Sequence, residues 1–254
     1  MAADGGGGVI GGIWAWLTTA SNWDGPDGIW ARSWEHLQYT LLAVAVALVI
    51  AVPIGALIGH TGRGTAVVAG LANALRALPS LGLLVMFALW SLDHLPIGIA
   101  LQSAALAVLA LLAIPPILTS TYAGVAAVDP ATRDAAEGMG MTGGQVLIRV
   151  ELPIALPLIF SGLRSGFLQA VATATIAAVV SLGGLGRYVL DGLAQQDYSK
   201  MAAGALLVAL LAILGDRVLA LVGYLLASPG VTGRRALARR VPALRAEVVV
   251  PATT

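Results

Sequence analysis

Residues that could carry chemistry are few in this sequence, and most of them are isolated from one another. The three histidines, His36, His60 and His94, lie too far apart to form a metal-ligand motif, and the chain contains no cysteine. Disulfides and cysteine-ligated zinc or iron–sulfur sites are therefore excluded. The acidic residues are scattered, whereas an integral membrane enzyme would need acidic residues or histidines clustered at a membrane face. We therefore predict neither a catalytic nor a metal site.

A second group of candidates consists of charges inside long apolar stretches, which are functional hypotheses by default. Arg76 is the deepest, and it is interpreted either as part of a transport pathway or gate, or as a packing contact beside Pro79. Arg164 can extend its charged end towards the membrane surface, so a structural role is favoured. Asp216 and Arg217 are adjacent, cannot share one helix face, and are expected near the cytoplasmic end of the fifth span with little role in transport.

The elements that must position these residues follow from composition. Of the 254 residues, 58% are hydrophobic and only 11% are charged, against about 25% charged in an ordinary soluble domain. A soluble fold would leave large exposed apolar patches, which soluble monomers rarely tolerate. This composition excludes a soluble enzyme, a nucleic-acid-binding protein and a disordered chain, and predicts an integral membrane protein.

Five stretches have the length of about 20 mainly apolar residues that a transmembrane helix needs. They run roughly over 37–59, 66–90, 96–122, 154–182 and 201–227. Their continuous apolar character predicts helices rather than barrel strands. The fold class is therefore all-α integral membrane, with Pro115-Pro116 expected to break the third span.

Basic residues predict the orientation, because they concentrate on the cytoplasmic side. The side that holds the end of the chain carries the arginines Arg234, Arg235, Arg239, Arg240 and Arg245. We therefore expect a flexible extracytoplasmic segment over 1–29, a transmembrane domain over 30–227 and a basic cytoplasmic tail over 228–254. The beginning of the chain does not read as a cleavable signal peptide. Trp30 and Trp34 suggest a short helix in the outer membrane interface, or simply an aromatic entry to the first span.

One long loop, VDPATRDAAEGMGMTGGQVLIRVELP over 128–153, separates spans three and four. Asp129 and Pro130 are typical of a helix start, and Gly138 and Gly140 can take the left-handed conformation that ends a helix. Thr142 and Gln145 have the spacing of a capping box, so a second helix starts there. Two capped helices around a glycine hinge indicate a docking element rather than a plain connection, and the small Ala135-Ala136 pair would let the first helix lie flush in a groove of another protein.

This loop resembles the coupling loop of importer-type ABC transporter permeases. The motif residues are Asp134, Ala135, Ala136, Gly138, Gly140, Val150, Leu152 and Pro153. Asp134 replaces the usual Glu and Val150 the usual Ile. Further resemblance to the osmoprotectant subfamily, which imports glycine betaine, carnitine, choline or related solutes, comes from the element that contains Asn73, Arg76, Pro79 and Ser80, and from the glycine turn at 183–186.

The resemblance implies a type I importer permease with a cytoplasmic coupling helix between spans three and four. It also implies a plasma-membrane location and that ATP is bound by a separate cytoplasmic subunit, in agreement with the lack of a phosphate-binding Gly-x-x-x-x-Gly-Lys-[Ser/Thr] motif. The chain itself would carry no cofactor. The implied partners are this ATP-binding subunit, an extracytoplasmic solute-binding protein and a second permease copy or paralogue.

Alternatives within transport are an amino acid, methionine or an anion as cargo, because the coupling motif is shared among importers. A secondary transporter is disfavoured because no internal repeat is evident. The chain is poorly equipped for an aromatic cage around a quaternary ammonium group. Phe160 and Phe167 share one helix face, but that spacing is more typical of packing against a neighbouring helix. We therefore expect a weakly selective path, with tight recognition in the binding protein.

Overall fold

The computed structural model describes residues 8–180 and 182–227, and within them every regular element is helical. The predicted tail 228–254 lies outside the described residues. The main helices, labelled α1 to α10 in chain order, are Val9–Thr18, Ile29–Thr61, Thr65–Ala77, Ser80–His94, Ile97–Ala126, Pro130–Gly138, Gly143–Val146, Leu152–Ala177, Gly186–Gln195 and Tyr198–Leu226. A π-helical segment, Leu147–Glu151, joins α7 to α8. Four helices are long and apolar enough to cross a membrane, and the bent pair α3–α4 makes five if it counts as one span.

The first span is longer than its apolar stretch. Helix α2 has 33 residues and is therefore about 50 Å long, against about 30 Å for the hydrocarbon core of a bilayer. Trp30 and Trp34 lie on the exposed surface of its first two turns. The suggested separate interfacial helix is therefore wrong, since these residues already belong to α2. The preceding segment, expected to be flexible, contains helix α1, which lies against α10.

The second span is not continuous. Helices α3 and α4 meet at an angle of 89°. Pro79 has no backbone N–H, and its ring keeps the preceding residue out of the helical conformation. Leu78 accordingly takes an extended conformation, with ψ of 134°. The break places Arg76 in the last turn of α3 and Ser80 at the start of α4.

The third span runs through Pro115-Pro116 without interruption, so the predicted break there is wrong. Pro115 is buried and Ile117 is fully buried. Helix α5 is enclosed by α2 on one side and α8 on the other. Packing against α2 and α8 keeps α5 helical although Pro115 and Pro116 have no backbone N–H to donate.

Glycines bring these three helices into close contact. A Cβ atom at Gly55 or Gly59 of α2 would lie within 3 Å of a backbone carbonyl oxygen of α5. From the other side, a Cβ atom at Gly162 or Gly166 of α8 would lie 2.8 or 3.1 Å from a backbone carbonyl oxygen of α5. Small residues at a spacing of four allow such backbone contact between transmembrane helices.

The pairing of α2 with α5 establishes how the chain crosses the membrane. Near its start, α2 bonds α5 through Tyr39 and Gln102, and near its end Gly59 contacts Tyr122. The two helices therefore run parallel. The intervening segment must return the chain to the face where α2 begins, so α3 and α4 together form one broken span rather than a re-entrant loop. The five predicted spans are thereby confirmed.

Helix α10 packs against α8 in the opposite direction. Phe167 contacts Gly215 and Phe160 contacts Gly223, which confirms that these two rings pack a neighbouring helix. Between them, Arg164 donates from Nε to Asp216 Oδ1 at 2.7 Å and from Nη2 to Oδ2 at 2.8 Å. This pair was not predicted from the sequence: Arg164 binds Asp216 of the neighbouring helix α10, and the pair links α8 to α10.

Candidate functional site

The coupling loop forms a capped helix at the face where α2, α5 and α10 end. Asp129 Oδ1 accepts from the N–H of Ala131 at 3.0 Å, and Pro130 occupies the first turn of α6. The predicted helix start is therefore confirmed. At the other end only Gly140 is left-handed, with φ of 87°, whereas Gly138 is the last residue of α6.

The two alanines of the motif lie on different sides of α6. Ala136 is 2% exposed, and Ala135 is exposed together with Asp134, Gly138 and Gly140. The prediction that both alanines lie on the docking surface is wrong for Ala136, since successive residues of a helix point about 100° apart. The side chain of Ala136 is buried within this protein, and the exposed surface of the loop is formed by Asp134, Ala135, Gly138 and Gly140.

The second half of the loop leads directly into the fourth span. The capping box of Thr142 and Gln145 is present, with Thr142 N–H donating to Gln145 Oε1 at 2.9 Å, as predicted. Val150 lies in the π-helical segment, and Leu152 and Pro153 are the first two residues of α8. The missing N–H of Pro153 directly follows the π-helical segment, where the regular hydrogen-bond pattern of an α-helix is already interrupted.

A buried carboxylate connects the loop to the spans. The side chain of Glu151 is fully buried, with Oε2 2.7 Å from His60 Nδ1 and Oε1 2.6 Å from Arg133 Nε. The side chains of His60 and Arg133 are about a quarter exposed. Arg133 Nη2 also donates to the carbonyl oxygen of Val125 at 2.7 Å. We call His60, Arg133 and Glu151 the loop triad.

The loop triad joins three elements that are remote in sequence. His60 lies in the last turn of α2, Arg133 in α6, and Glu151 directly before α8. Glu151 Oε2 is hydrogen-bonded to His60, whereas the contact of Oε1 with Arg133 Nε is an ion pair without hydrogen-bond geometry. A buried charge is stable only when it is paired, so each member constrains the other two. Sequence reasoning missed the triad, although an acid at 151, between Leu147 and Ala155 on one helical face, is a recognisable signal.

A cavity of about 440 Å³ opens at the helix break. Its lining comes from the α3–α4 break, α5 and α8, and comprises Arg76, Leu78, Ser80, Leu112, Pro115, Pro116, Ser165 and Gln169. Two of the four candidate pathway residues, Arg76 and Ser80, thus lie together. Pro79 lines a smaller adjacent pocket, and Asn73 is exposed one turn before Arg76.

The cavity is cationic. Arg76 makes no hydrogen bond or ion pair with any described residue. The described lining contains no acidic and no aromatic side chain; its other polar side chains are Ser80, Ser165 and Gln169. Helix α4 starts at this wall without a side-chain cap, so its positive end adds to the charge of Arg76.

The opposite face of the molecule is shaped by the glycine turn after α8. Gly184 has φ of 78°, and its N–H donates to Glu35 Oε2 at 2.7 Å. Tyr188 donates to the carbonyl oxygen of Asp27 at 2.6 Å, and burial raises the pKa of Tyr188 to about 12. A polar cavity of about 540 Å³ lies beside these contacts. No group of three or more potential metal ligands exists among the described residues.

Comparisons with known proteins agree with this architecture. The family model described as "Binding-protein-dependent transport system inner membrane component" matches residues 47–226. The osmoprotectant import permease protein OsmW of Salmonella typhimurium is 37% identical over 201 residues, which cover 78% of this chain and 92% of that protein. The glycine betaine/carnitine/choline transport system permease protein OpuCB of Bacillus subtilis is 32% identical over 204 residues, covering 80% of this chain and 91% of that protein.

A solved structure supports the fold. An inward-facing MetNI methionine ABC transporter chain superposes with a TM-score of 0.62 at 25% identity, covering 74% of this chain and 93% of that chain. The resemblance to importer permeases drawn from the coupling loop is thereby confirmed. The matched region contains the broken span, the coupling loop and the loop triad, and the chain belongs to the family of binding-protein-dependent transport system inner membrane components.

Proposed function

We propose that this chain is the membrane-spanning subunit of an ATP-driven importer for compatible solutes such as glycine betaine, carnitine or choline. The observation that carries the proposal is the similarity over nearly the whole length of two relatives named for osmoprotectant transport. The chain acts as a permease and has no catalytic activity of its own, in line with the names of those relatives.

The coupling loop is the seat of the ATP-binding subunit in this proposal. Helix α6 presents a surface of small and exposed residues around Ala135, and Met139 beyond it is 74% exposed. An apolar residue this exposed at the end of an otherwise polar loop favours contact with a partner. Movement of that partner would pass to the spans through the loop triad, because Arg133 of α6 is paired with Glu151 before α8.

The proposed orientation puts the coupling loop in the cytoplasm and the glycine turn outside. Arg63, Arg133 and Arg149 lie on the coupling-loop side, and Arg32, Arg187 and Lys200 lie on the other side. The excess that supports this orientation by the positive-inside rule comes from the five arginines that follow α10 in the sequence. The solute-binding protein would then dock on the face that carries the glycine turn and the 540 Å³ polar cavity. A second permease copy or paralogue completes the pathway.

Reconstitution tests the proposal. The chain, its ATP-binding subunit and the cognate binding protein are placed in vesicles, and uptake of radiolabelled glycine betaine, carnitine and choline is compared with that of methionine and phosphate. We expect ATP-dependent uptake of at least one of the first three solutes. Transport of methionine or phosphate without any of them would refute the proposed substrate class.

A further inference from the structure

Arg76 lies at the break of the second span, where its charged side chain is exposed and lines the cavity. It lies 11 residues after the start of α3, about 16 Å along the helix. Charged side chains at membrane depth pair with one another, with backbone carbonyls or with a transported group. Asp216, the acid inside α10, is already bound by Arg164 through two hydrogen bonds. Among the described residues, Arg76 therefore has no protein counter-charge, and a ligand can supply one.

The lining of the cavity indicates which part of a solute fits it. A quaternary ammonium group is recognised by aromatic faces, and it is repelled by a guanidinium group. The described wall offers neither an aromatic ring nor a carboxylate. A carboxylate, in contrast, is matched by the planar guanidinium of Arg76, by the hydroxyl donors of Ser80 and Ser165, and by the amide of Gln169.

The start of α4 at the break also favours a carboxylate in this cavity. Ser80 is the first residue of α4, and no side chain caps this helix. In transporters with discontinuous helices, the starts of half-helices point at anionic groups of the substrate. A cavity of about 440 Å³ lies within the usual range of about 300–1,000 Å³ for small-molecule sites.

We propose that this cavity binds the carboxylate of the transported solute, so that the permease favours carboxylated zwitterions such as glycine betaine and carnitine over choline, which has no carboxylate. The proposal rests on the proposed function, since it names the part of the solute that this permease recognises. Recognition is weak, because the trimethylammonium end finds no aromatic partner in the described wall.

Direct binding tests the proposal without the selectivity of a binding protein. Saturation-transfer NMR is applied to the complex of the chain with its ATP-binding subunit, in lipid nanodiscs, with glycine betaine, carnitine or choline at millimolar concentration. We expect signals for the two carboxylated solutes and a signal at least several-fold weaker for choline. An equal signal for choline, or none for the carboxylated solutes, would overturn the proposal.

Substitutions identify the residue responsible. Arg76→Gln should weaken binding of the carboxylated solutes about 10- to 100-fold, as expected for the loss of a charged hydrogen bond, and should leave choline unchanged or slightly favoured. Arg76→Lys keeps the charge and should retain part of the affinity. Arg63→Gln, which removes an exposed positive charge near the coupling loop, is the matched control and should bind like the unmodified chain.

The outcomes separate the two proposals. If the reconstituted system takes up glycine betaine or carnitine but Arg76→Gln changes neither their binding nor their uptake relative to choline, the carboxylate site is wrong and the proposed function stands. Equal losses for all three solutes would also overturn the site and make Arg76 a gate or packing residue. If the complete system takes up none of the three solutes, the proposed function itself fails.

Discussion

Removal of Arg133 should detach the coupling helix from the spans. Arg133→Met leaves the carboxylate of Glu151, which is fully buried, facing only His60. Leaving one partner of a buried ion pair uncompensated costs about 3–5 kcal/mol. The carbonyl oxygen of Val125 also loses the side-chain donor and keeps the backbone N–H of Val128. The loss is local, because the glycine contacts between α2, α5 and α8 do not involve Arg133.

Glu151→Gln should cost less than Arg133→Met. The amide keeps the shape of the carboxylate, and the charge left without a partner is that of Arg133, whose side chain is about a quarter exposed and can be hydrated. The cost is then about 1.5–3 kcal/mol, the value of a charged hydrogen bond. The double variant should cost clearly less than the sum of the two single variants, because the residues act as one unit.

Hydrogen exchange of the backbone amides of α6, followed by mass spectrometry on the reconstituted complex, measures these costs. Exchange should accelerate by about two to nearly four orders of magnitude in Arg133→Met, as a cost of about 3–5 kcal/mol implies, and by less in Glu151→Gln. Solute-stimulated ATP hydrolysis should fall in the same order. Glu137→Gln removes an exposed acid of α6 and is the control for exchange. Unchanged protection of α6 in Arg133→Met, or a larger effect of Glu151→Gln, would refute the reasoning.

Three further predictions concern docking, topology and packing. Ala135→Asp adds a charge to the exposed side of α6 and should abolish solute-stimulated ATP hydrolysis while exchange in α6 stays normal; full stimulation would contradict the docking surface. Because the chain contains no cysteine, Asp93→Cys should react with an impermeant thiol reagent from outside and Gly144→Cys only after the membrane is opened; the reverse pattern would invert the orientation. Gly215→Ala places a Cβ atom 2.2 Å from the ring of Phe167 and should destabilise the complex by about 1–3 kcal/mol, seen as a lower midpoint of thermal unfolding, and an unchanged midpoint would show that α10 is not packed this closely.

Composition and local spacing predict much of this molecule. The number of spans, the all-helical fold and the cap of α6 at Asp129 depend on the order of neighbouring residues and on their transfer from water to lipid. The same holds for the capping box at Thr142, since its two side chains bond to a backbone only three residues away. The family resemblance likewise follows from motifs with short spacing.

Other features depend on neighbours that the linear sequence does not identify. The prolines of α5 suggested a break, but enclosure by α2 and α8 keeps that helix continuous, whereas Pro79, exposed and less enclosed, ends α3. Only the packing of α6 against its own chain distinguishes buried Ala136 from exposed Ala135. These outcomes are decided by tertiary contacts that outweigh a local propensity of a few kcal/mol.

The sequence by itself determined that this chain crosses the membrane as helices and that a loop with capped helices separates the third span from the fourth. Both features depend on a few neighbouring residues, because apolar stretches transfer into lipid as units and helix caps act locally. The tertiary structure alone decided that His60, Arg133 and Glu151 meet at one buried carboxylate, and that Arg164 is paired with Asp216 while Arg76 is left unpaired in a cavity. The physical reason is that a charge in a low-dielectric interior depends on partners brought to it by the parallel and antiparallel packing of distant helices.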